Sequence, residues 1–226
     1  MRILALLFIL LLSPVTLAGT VAVAMPDRYA AAAAQSVLAR GGNAVDAAIT
    51  ATFVLAVTYP EAGNIGGGGF MLSYVDGAPA FLDFREHAPQ AAHRDMFLDE
   101  EGNFVQRDAL VGGRASGVPG TVRGMQKAHE RYGSLPWVQL LKPAIKLARE
   151  GFVVSADQEE MAIEKVEEVD GDTNFARYFG TMRKGELMRQ PELATTLERI
   201  ASDPRDFYLG TTARQIVAQM TRSQGL

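Results

Sequence analysis

The apolar positions of this chain change period at a few sharp points, and those points divide it into elements. Val21 and Val23 alternate with small residues, as a short first strand would. Asp27 stands where an N-cap belongs, ahead of an alanine-rich helix over residues 29–40 that Gly41 ends. Asn43 caps a second helix over 44–57, stopped before Pro60. That helix carries Val45, Ala47, Ile49, Ala51, Phe53, Val54 and Leu55, which leaves it no polar face. A helix apolar all round belongs inside a layered protein. Residues 70–75 and 80–84 read as two strands joined by an Asp76-Gly77 hairpin turn. Alternation sets Phe81, Asp83 and Arg85 on one face and Leu82, Phe84 and Glu86 on the other. Both faces are largely apolar, as in a sheet with helices on one side and a second sheet on the other.

Past the hairpin the pattern turns helical. Residues 86–115 look irregular, with Pro89, Gly102, Gly112 and Gly113. Residues 116–121 make a tight lead into a helix over 122–132, ended by Gly133. Ser134 and Pro136 start another, which Pro143 interrupts and Gly151 ends. Ser155 caps an acidic helix whose Glu159, Glu160, Glu164, Glu167 and Glu168 read as a solvated face. Residues 170–190 read as loop. Pro191 opens a helix to 202, Asp203-Pro204 turns the chain, and Thr211 or Thr212 starts a last helix to 222. The class is α+β, rich in helix. Its sheet is short of partners, which another chain or further sequence is expected to supply.

Composition narrows the functions. The chain has 226 residues, 48% of them hydrophobic, enough for one large or two small domains. A formal charge of −4, with no run of Lys and Arg, excludes a nucleic-acid partner. With no cysteine, disulfides and thiolate zinc sites are impossible. The N-terminus supplies the compartment. Arg2 precedes ten apolar residues, from Ile3 to Leu12, then Ser13-Pro14 and the small residues Thr16 and Ala18. This is the pattern of a signal peptide over 1–18, cut after Ala18, with a mature chain of 19–226. Ten apolar residues are about half of the roughly 20 that span a bilayer, so no stable membrane span is expected. The product is expected to be exported, which in a Gram-negative cell means the periplasm.

The candidate chemistry centres on residues 63–69, Gly-Asn-Ile-Gly-Gly-Gly-Gly. Five glycines in seven positions suit backbone that passes very close to other backbone or to a ligand. No Gly-Lys-Ser or Gly-Lys-Thr follows, and the order helix, turn, strand is wrong for a dinucleotide fingerprint. Ser116 lacks a Gly-x-Ser-x-Gly elbow and reads as a turn hydroxyl. His87, His93 and His129 are too scattered for a metal and read as surface residues. No metal or cofactor is expected. Arg85 ends the hairpin strand whose other end begins at the glycines. It could grip a small carboxylate through two parallel hydrogen bonds, or simply pair with Asp83 or Glu86. Spacing alone leaves these two readings level.

Several motifs then converge on one family. Residues 41–48 (Gly-Gly-Asn-Ala-Val-Asp-Ala-Ala), 63–71, Leu82-Asp83-Phe84-Arg85-Glu86, Asp95-Met96-Phe97-Leu98, Gly117-Val118-Pro119-Gly120-Thr121 and 143–152 resemble the gamma-glutamyltransferases, or glutathione hydrolases. The resemblance runs in consistent order from about Gly19 to Leu226. It implies part of a four-layer αββα N-terminal-nucleophile (Ntn) hydrolase, made as a precursor that cuts itself into large and small subunits. The small subunit's new N-terminal threonine is the nucleophile, its own amine the base. The substrates implied are glutathione and other gamma-glutamyl compounds, and the acyl group passes to water or an amino acid. The resemblance gives Arg85 the alpha-carboxylate of the gamma-glutamyl group. Family members continue past Leu226, and the threonine lies in that later part. Thr121, Thr195, Thr196, Thr211 and Thr212 read as helix starts or faces, so no catalytic residue is assigned. The chain is expected to be inactive without the small subunit of the same precursor. Two further readings are a related acylase of glutaryl or cephalosporin type, and a non-catalytic exported binding protein on this scaffold.

Overall fold

The computed structural model describes residues 21–169 and 173–226; the expected signal peptide over 1–18 lies outside the described residues. Two helices come first, α1 (Arg28–Ala39) and α2 (Ala44–Thr58). Strands β1 (Phe70–Val75) and β2 (Ala78–Asp83) follow, then a short α3 (Gln106–Leu110). Next come α4 (Thr121–Tyr132), α5 (Trp137–Glu150), β3 (Phe152–Val153), α6 (Ala156–Val169) and α7 (Phe175–Phe179). The chain closes with β4 (Leu187–Met188), α8 (Pro191–Ser202), α9 (Asp206–Leu209) and α10 (Thr211–Arg222). The described residues are helix-rich, with two small antiparallel sheets among them, β1–β2 and β3–β4.

Helix α2 is the centre of the packing. Ile49, Phe53, Val54 and Val57 are fully buried, against α1, α4 and α5. Each such side chain is worth about 1.5–3 kcal/mol of transfer free energy. Trp137, at the start of α5, meets Phe53 edge-on at 5.6 Å and donates its indole N–H to the Ile200 carbonyl on α8 at 2.9 Å.

A helix buried on all sides still has polar ends, and each end of α2 finds partners. Asn43 accepts the Asp46 N–H at 2.9 Å, while Asp46 accepts the Asn43 N–H at 3.0 Å, a reciprocal capping box. The fully buried Asp46 also accepts the Ser134 hydroxyl at 2.5 Å and the N–H groups of Ser134 and Leu135. Burial opposes its ionisation, but the Ser134 hydroxyl and the Asn43, Ser134 and Leu135 N–H groups outweigh that and hold the carboxyl below its ordinary pKa. At the other end, Gln190 donates to the Val57 carbonyl at 2.7 Å and Gln158 to that of Thr58 at 2.5 Å. The Thr58 hydroxyl lies 2.9 Å from Asp27, whose carboxylate also caps α1 through the Ala30 N–H at 2.8 Å.

The hairpin pairs Phe70 with Asp83, Leu72 with Phe81 and Tyr74 with Pro79. Residues directly opposite share a face. Met71, Val75 and Leu82 turn towards the helices and pack on the core. Phe70, Leu72, Tyr74 and Phe81 form the outer face, 55%, 78%, 74% and 64% exposed, with Phe70 and Phe81 stacked at 5.8 Å. The second sheet expected over this face is not among the described residues.

Several sequence expectations are corrected. No strand forms at Val21 and Val23, because no described strand pairs with them; residues 21–25 are irregular. Pro143 does not interrupt α5, which runs through it. The missing N–H costs only the bond to the Gln139 carbonyl, while Leu140, Leu141 and Ala144 stay fully buried around it. The irregular stretch 86–115 holds α3 and a 3₁₀ turn at Gly113–Ala115, and the loop expected over 170–190 holds α7 and β4. His129 is half-buried, its Nε2 2.8 Å from the Leu135 carbonyl oxygen and its ring 5.4 Å from Trp137.

Removing the Asp46 carboxylate should cost about 1–3 kcal/mol at pH 7, since part-buried donors on Asn43, Ser134 and Leu135 lose their acceptor. Because the folded-state pKa is lowered, this stability is full above the unfolded carboxyl pKa, about 3.9, and is lost as pH falls through the folded value. Urea unfolding of the full-length protein and its Asp46→Ala variant should therefore show a gap at neutral pH that narrows in acid; a constant gap would refute it. The outer hairpin face should bind an apolar fluorescent dye in this chain, and Leu72→Gln with Phe81→Gln should reduce that signal.

Candidate functional site

Arg85 follows β2, exposed, on the same side as Phe81 and Asp83, as alternation predicted. Asp83 does not neutralise it: its Oδ1 accepts the Arg85 backbone N–H at 2.9 Å and so braces the turn that leaves the strand. Among the described residues no hydrogen bond or ion pair holds the guanidinium, from Glu86 or elsewhere. The ion-pair reading of Arg85 is thereby weakened. A free, permanently charged fork beside an apolar sheet face can take a planar carboxylate.

The backbone beneath Arg85 is gripped from both sides. On one side stands the glycine stretch. Phe84 donates its N–H to the Gly69 carbonyl at 3.0 Å. A Cβ on Gly68 would sit 2.6 Å from the Phe84 carbonyl oxygen and 2.7 Å from the Arg85 Cα, so only glycine allows that approach. On the other side stands the start of α4. A Cβ on Gly120 would lie 1.9 Å from the Phe84 carbonyl oxygen, and one on Gly124 2.3 Å from the Phe84 Cγ. Beyond Glu86, His87 and Val118 exchange two backbone hydrogen bonds, at 2.8 and 3.1 Å.

The two sides are tied together as well. The Gly67 carbonyl accepts the N–H groups of Gly120 and Thr121 at 2.7 and 3.0 Å, which satisfies α4's first donors without a side-chain cap. Asn64 accepts the Gly67 N–H at 2.7 Å and lies 3.2 Å from the Thr121 hydroxyl. Tyr208 adds an acceptor for the Arg123 N–H at 3.0 Å, and burial pushes its phenol pKa up. The glycines are thus a packing device behind Arg85.

The remaining candidates are not brought to this place. His87 and His93 are exposed, and among the described residues no cluster of three or more acidic or histidine side chains could hold a metal. Ser116 donates to the Gly112 carbonyl at 3.3 Å, as a turn hydroxyl. Thr195 and Thr196 bond back to the carbonyls of Pro191 and Glu192 on α8. No described helix is long and apolar enough to cross a membrane. The sequence reading missed Gly124; the signal was there, a glycine inside a helix with no turn or cap to explain it.

Comparison with known proteins places this arrangement. A sequence model described as "Gamma-glutamyltranspeptidase" matches residues 30–226. The glutathione hydrolase proenzyme of Pseudomonas aeruginosa is 55% identical over 206 residues, covering 91% of this chain and 37% of the relative. The chain therefore spans little more than a third of that protein's length. Among solved structures, gamma-glutamyltranspeptidase from Pseudomonas nitroreducens, complexed with L-DON, superposes with a TM-score of 0.91 at 55% identity, over 92% of this chain and 62% of that one. Cephalosporin acylase from Bacillus halodurans superposes with a TM-score of 0.71 at 30% identity, over 87% of this chain and 38% of that one. A match over nearly all of its length, with the motifs in order around a glycine-gripped arginine, means that the chain belongs to the gamma-glutamyltranspeptidase family.

Proposed function

We propose that this chain is the N-terminal part of the large subunit of a gamma-glutamyltransferase that acts as a glutathione hydrolase. The observation that carries the reading is Arg85, a guanidinium with no protein partner among the described residues, on backbone held by glycines at the edge of an uncovered sheet face. In this reading Arg85 binds the alpha-carboxylate of a gamma-glutamyl compound such as glutathione and fixes the gamma-carbonyl for attack. The attacking group is an N-terminal threonine released by self-cleavage of a precursor, outside this sequence. Its hydroxyl adds to the carbonyl, the amide nitrogen leaves with a proton relayed by the threonine amine, and a gamma-glutamyl ester forms. Water or an amino acid then takes the acyl group.

In the four-layer αββα Ntn arrangement, the helices here are one outer layer and the β1–β2 hairpin part of the sheet beneath it. The second sheet covers Phe70, Leu72, Tyr74 and Phe81. Their exposure supports this reading, since a soluble monomer rarely leaves such a cluster open. The protein is exported behind the signal peptide at 1–18, to the periplasm in a Gram-negative cell, and the small subunit of the same precursor is its partner. A second reading is a related acylase acting on glutaryl or cephalosporin side chains, favoured by the likeness to the Bacillus halodurans enzyme.

Hydrolysis of gamma-glutamyl-p-nitroanilide against a glutaryl amide by the full-length protein separates the two. The first reading expects the gamma-glutamyl substrate to win: the glutaryl group ends in the same carboxylate but lacks the alpha-amino group, so the preference reports recognition of that amine. In the same protein Arg85→Ala should raise KM for that substrate about a hundredfold, and Arg85→Lys, which keeps the charge but loses the fork, about tenfold. Unchanged kinetics in both would return Arg85 to a surface role. Residues 19–226 alone should show no turnover and no sharp thermal transition; turnover with a cooperative melt would overturn the reading, and cooperative folding with glutamate binding alone would favour a binding protein.

A further inference from the structure

We propose that Phe84, seated against the Gly120–Gly124 face of α4, is a positioning residue that sets where Arg85 can reach. This rests on the reading of Arg85 as the carboxylate clamp and goes one step behind it. Phe84 and Arg85 are chain neighbours on opposite faces of the strand end, so whatever fixes the ring fixes the guanidinium's root. Phe84 is half-buried and packs on the core, while Arg85 is exposed and its guanidinium is held by no bond among the described residues. Where the guanidinium starts from is therefore set by the backbone that Gly68 and Gly120 hold and by the seating of the Phe84 ring.

Two features make the seat specific. First, Gly120 and Gly124 are four apart, one turn of α4, and so present one face. Neither has a positive φ, so space is the reason for glycine there. Phe84 fills that space: its carbonyl oxygen lies against Gly120 and its Cβ and Cγ against Gly124, with the ring edge reaching the other wall at Gly69. Secondly, glycine is a poor helix former, and an alanine at Gly124 would favour the helix but meet Phe84 Cβ at 2.5 Å. The helix carries an unfavourable residue at the point where the Phe84 side chain leans on it. A methyl group there would push Phe84, and with it the Arg85 Cα, away from α4.

The test is a double-mutant cycle in the full-length enzyme, with gamma-glutamyl-p-nitroanilide as donor. Gly124→Ala should raise KM about tenfold, as displacement of a positioning group does, with kcat changed by no more than about twofold. In an Arg85→Ala background the same substitution should add nothing to KM, because the residue through which it acts is gone. If Gly124→Ala fails to fold or mature, Phe84→Leu, which loosens the seat without a clash, runs through the same cycle with the same expectation. An unchanged KM in Arg85→Ala would refute the clamp reading itself. A normal Arg85→Ala effect with full additivity, or with no effect of Gly124→Ala or Phe84→Leu alone, would refute the positioning role and leave the clamp standing.

Discussion

A helix with no polar side must be buried on every side, and then its termini must be satisfied by protein. Helix α2 imposes that constraint, and much of the structure follows from the way it is met. At its N-terminus Asp46 accepts from its own cap and from Ser134 and Leu135, in the link between α4 and α5. Asn43 donates from the same place to the Tyr132 carbonyl, at the end of α4, at 2.6 Å. One buried carboxylate and one amide thus set where α4 ends and α5 begins. At the other end Gln158 and Gln190 bring the starts of α6 and α8 onto the last carbonyls of α2. Such bonds add modestly to net stability, but leaving the buried partner in each unsatisfied would cost more. They act as addresses for the surrounding elements.

From the end of α4 the constraint reaches the site. Once Tyr132 and Ser134 are pinned, the axis of α4 is fixed, and its first turn meets the glycine stretch, where Gly67 accepts two of its N–H groups. Gly68 on one side and Gly120 on the other then close on residues 84–86 at distances that exclude any Cβ. The positioning of Arg85 is thus inherited from the buried helix through the backbone of residues 84–86 and the seated Phe84 ring. Contacts of this kind suit the role proposed for Arg85, a group that waits unpaired for a carboxylate.

What could be read beforehand follows the same division between local and distant. The caps at Asp27, Asn43 and Ser155 announce themselves within four residues, and so does the Asp76-Gly77 turn; all four stand where expected. Arg85 was legible as a candidate because strand alternation is local too. The two-residue strands β3 and β4 were not, since each exists only by pairing with the other some thirty-five positions away. The strand expected at Val21 failed for the converse reason: its alternation is real, but a strand needs a neighbour. Pro143 misled because a local penalty was weighed without the burial of Leu140, Leu141 and Ala144 that outweighs it. The pairing of Phe84 with Gly124 joins residues forty apart, and nothing in either stretch names the other.

The free guanidinium and the uncovered apolar face are two aspects of one arrangement. In water, an exposed arginine attracts a carboxylate weakly, because solvent screens both charges. Arg85 stands at the edge of a face made of Phe70, Leu72, Tyr74 and Phe81, on the side where Asp83 is already occupied by a backbone N–H. Covering that face with a second apolar layer would remove water from around the guanidinium. Attraction to a bound carboxylate would then strengthen, and the bidentate geometry would admit only a planar anion at the right height. The apolar cluster is therefore more than a docking surface in this reading: closing over it is what would turn a surface arginine into a selective one.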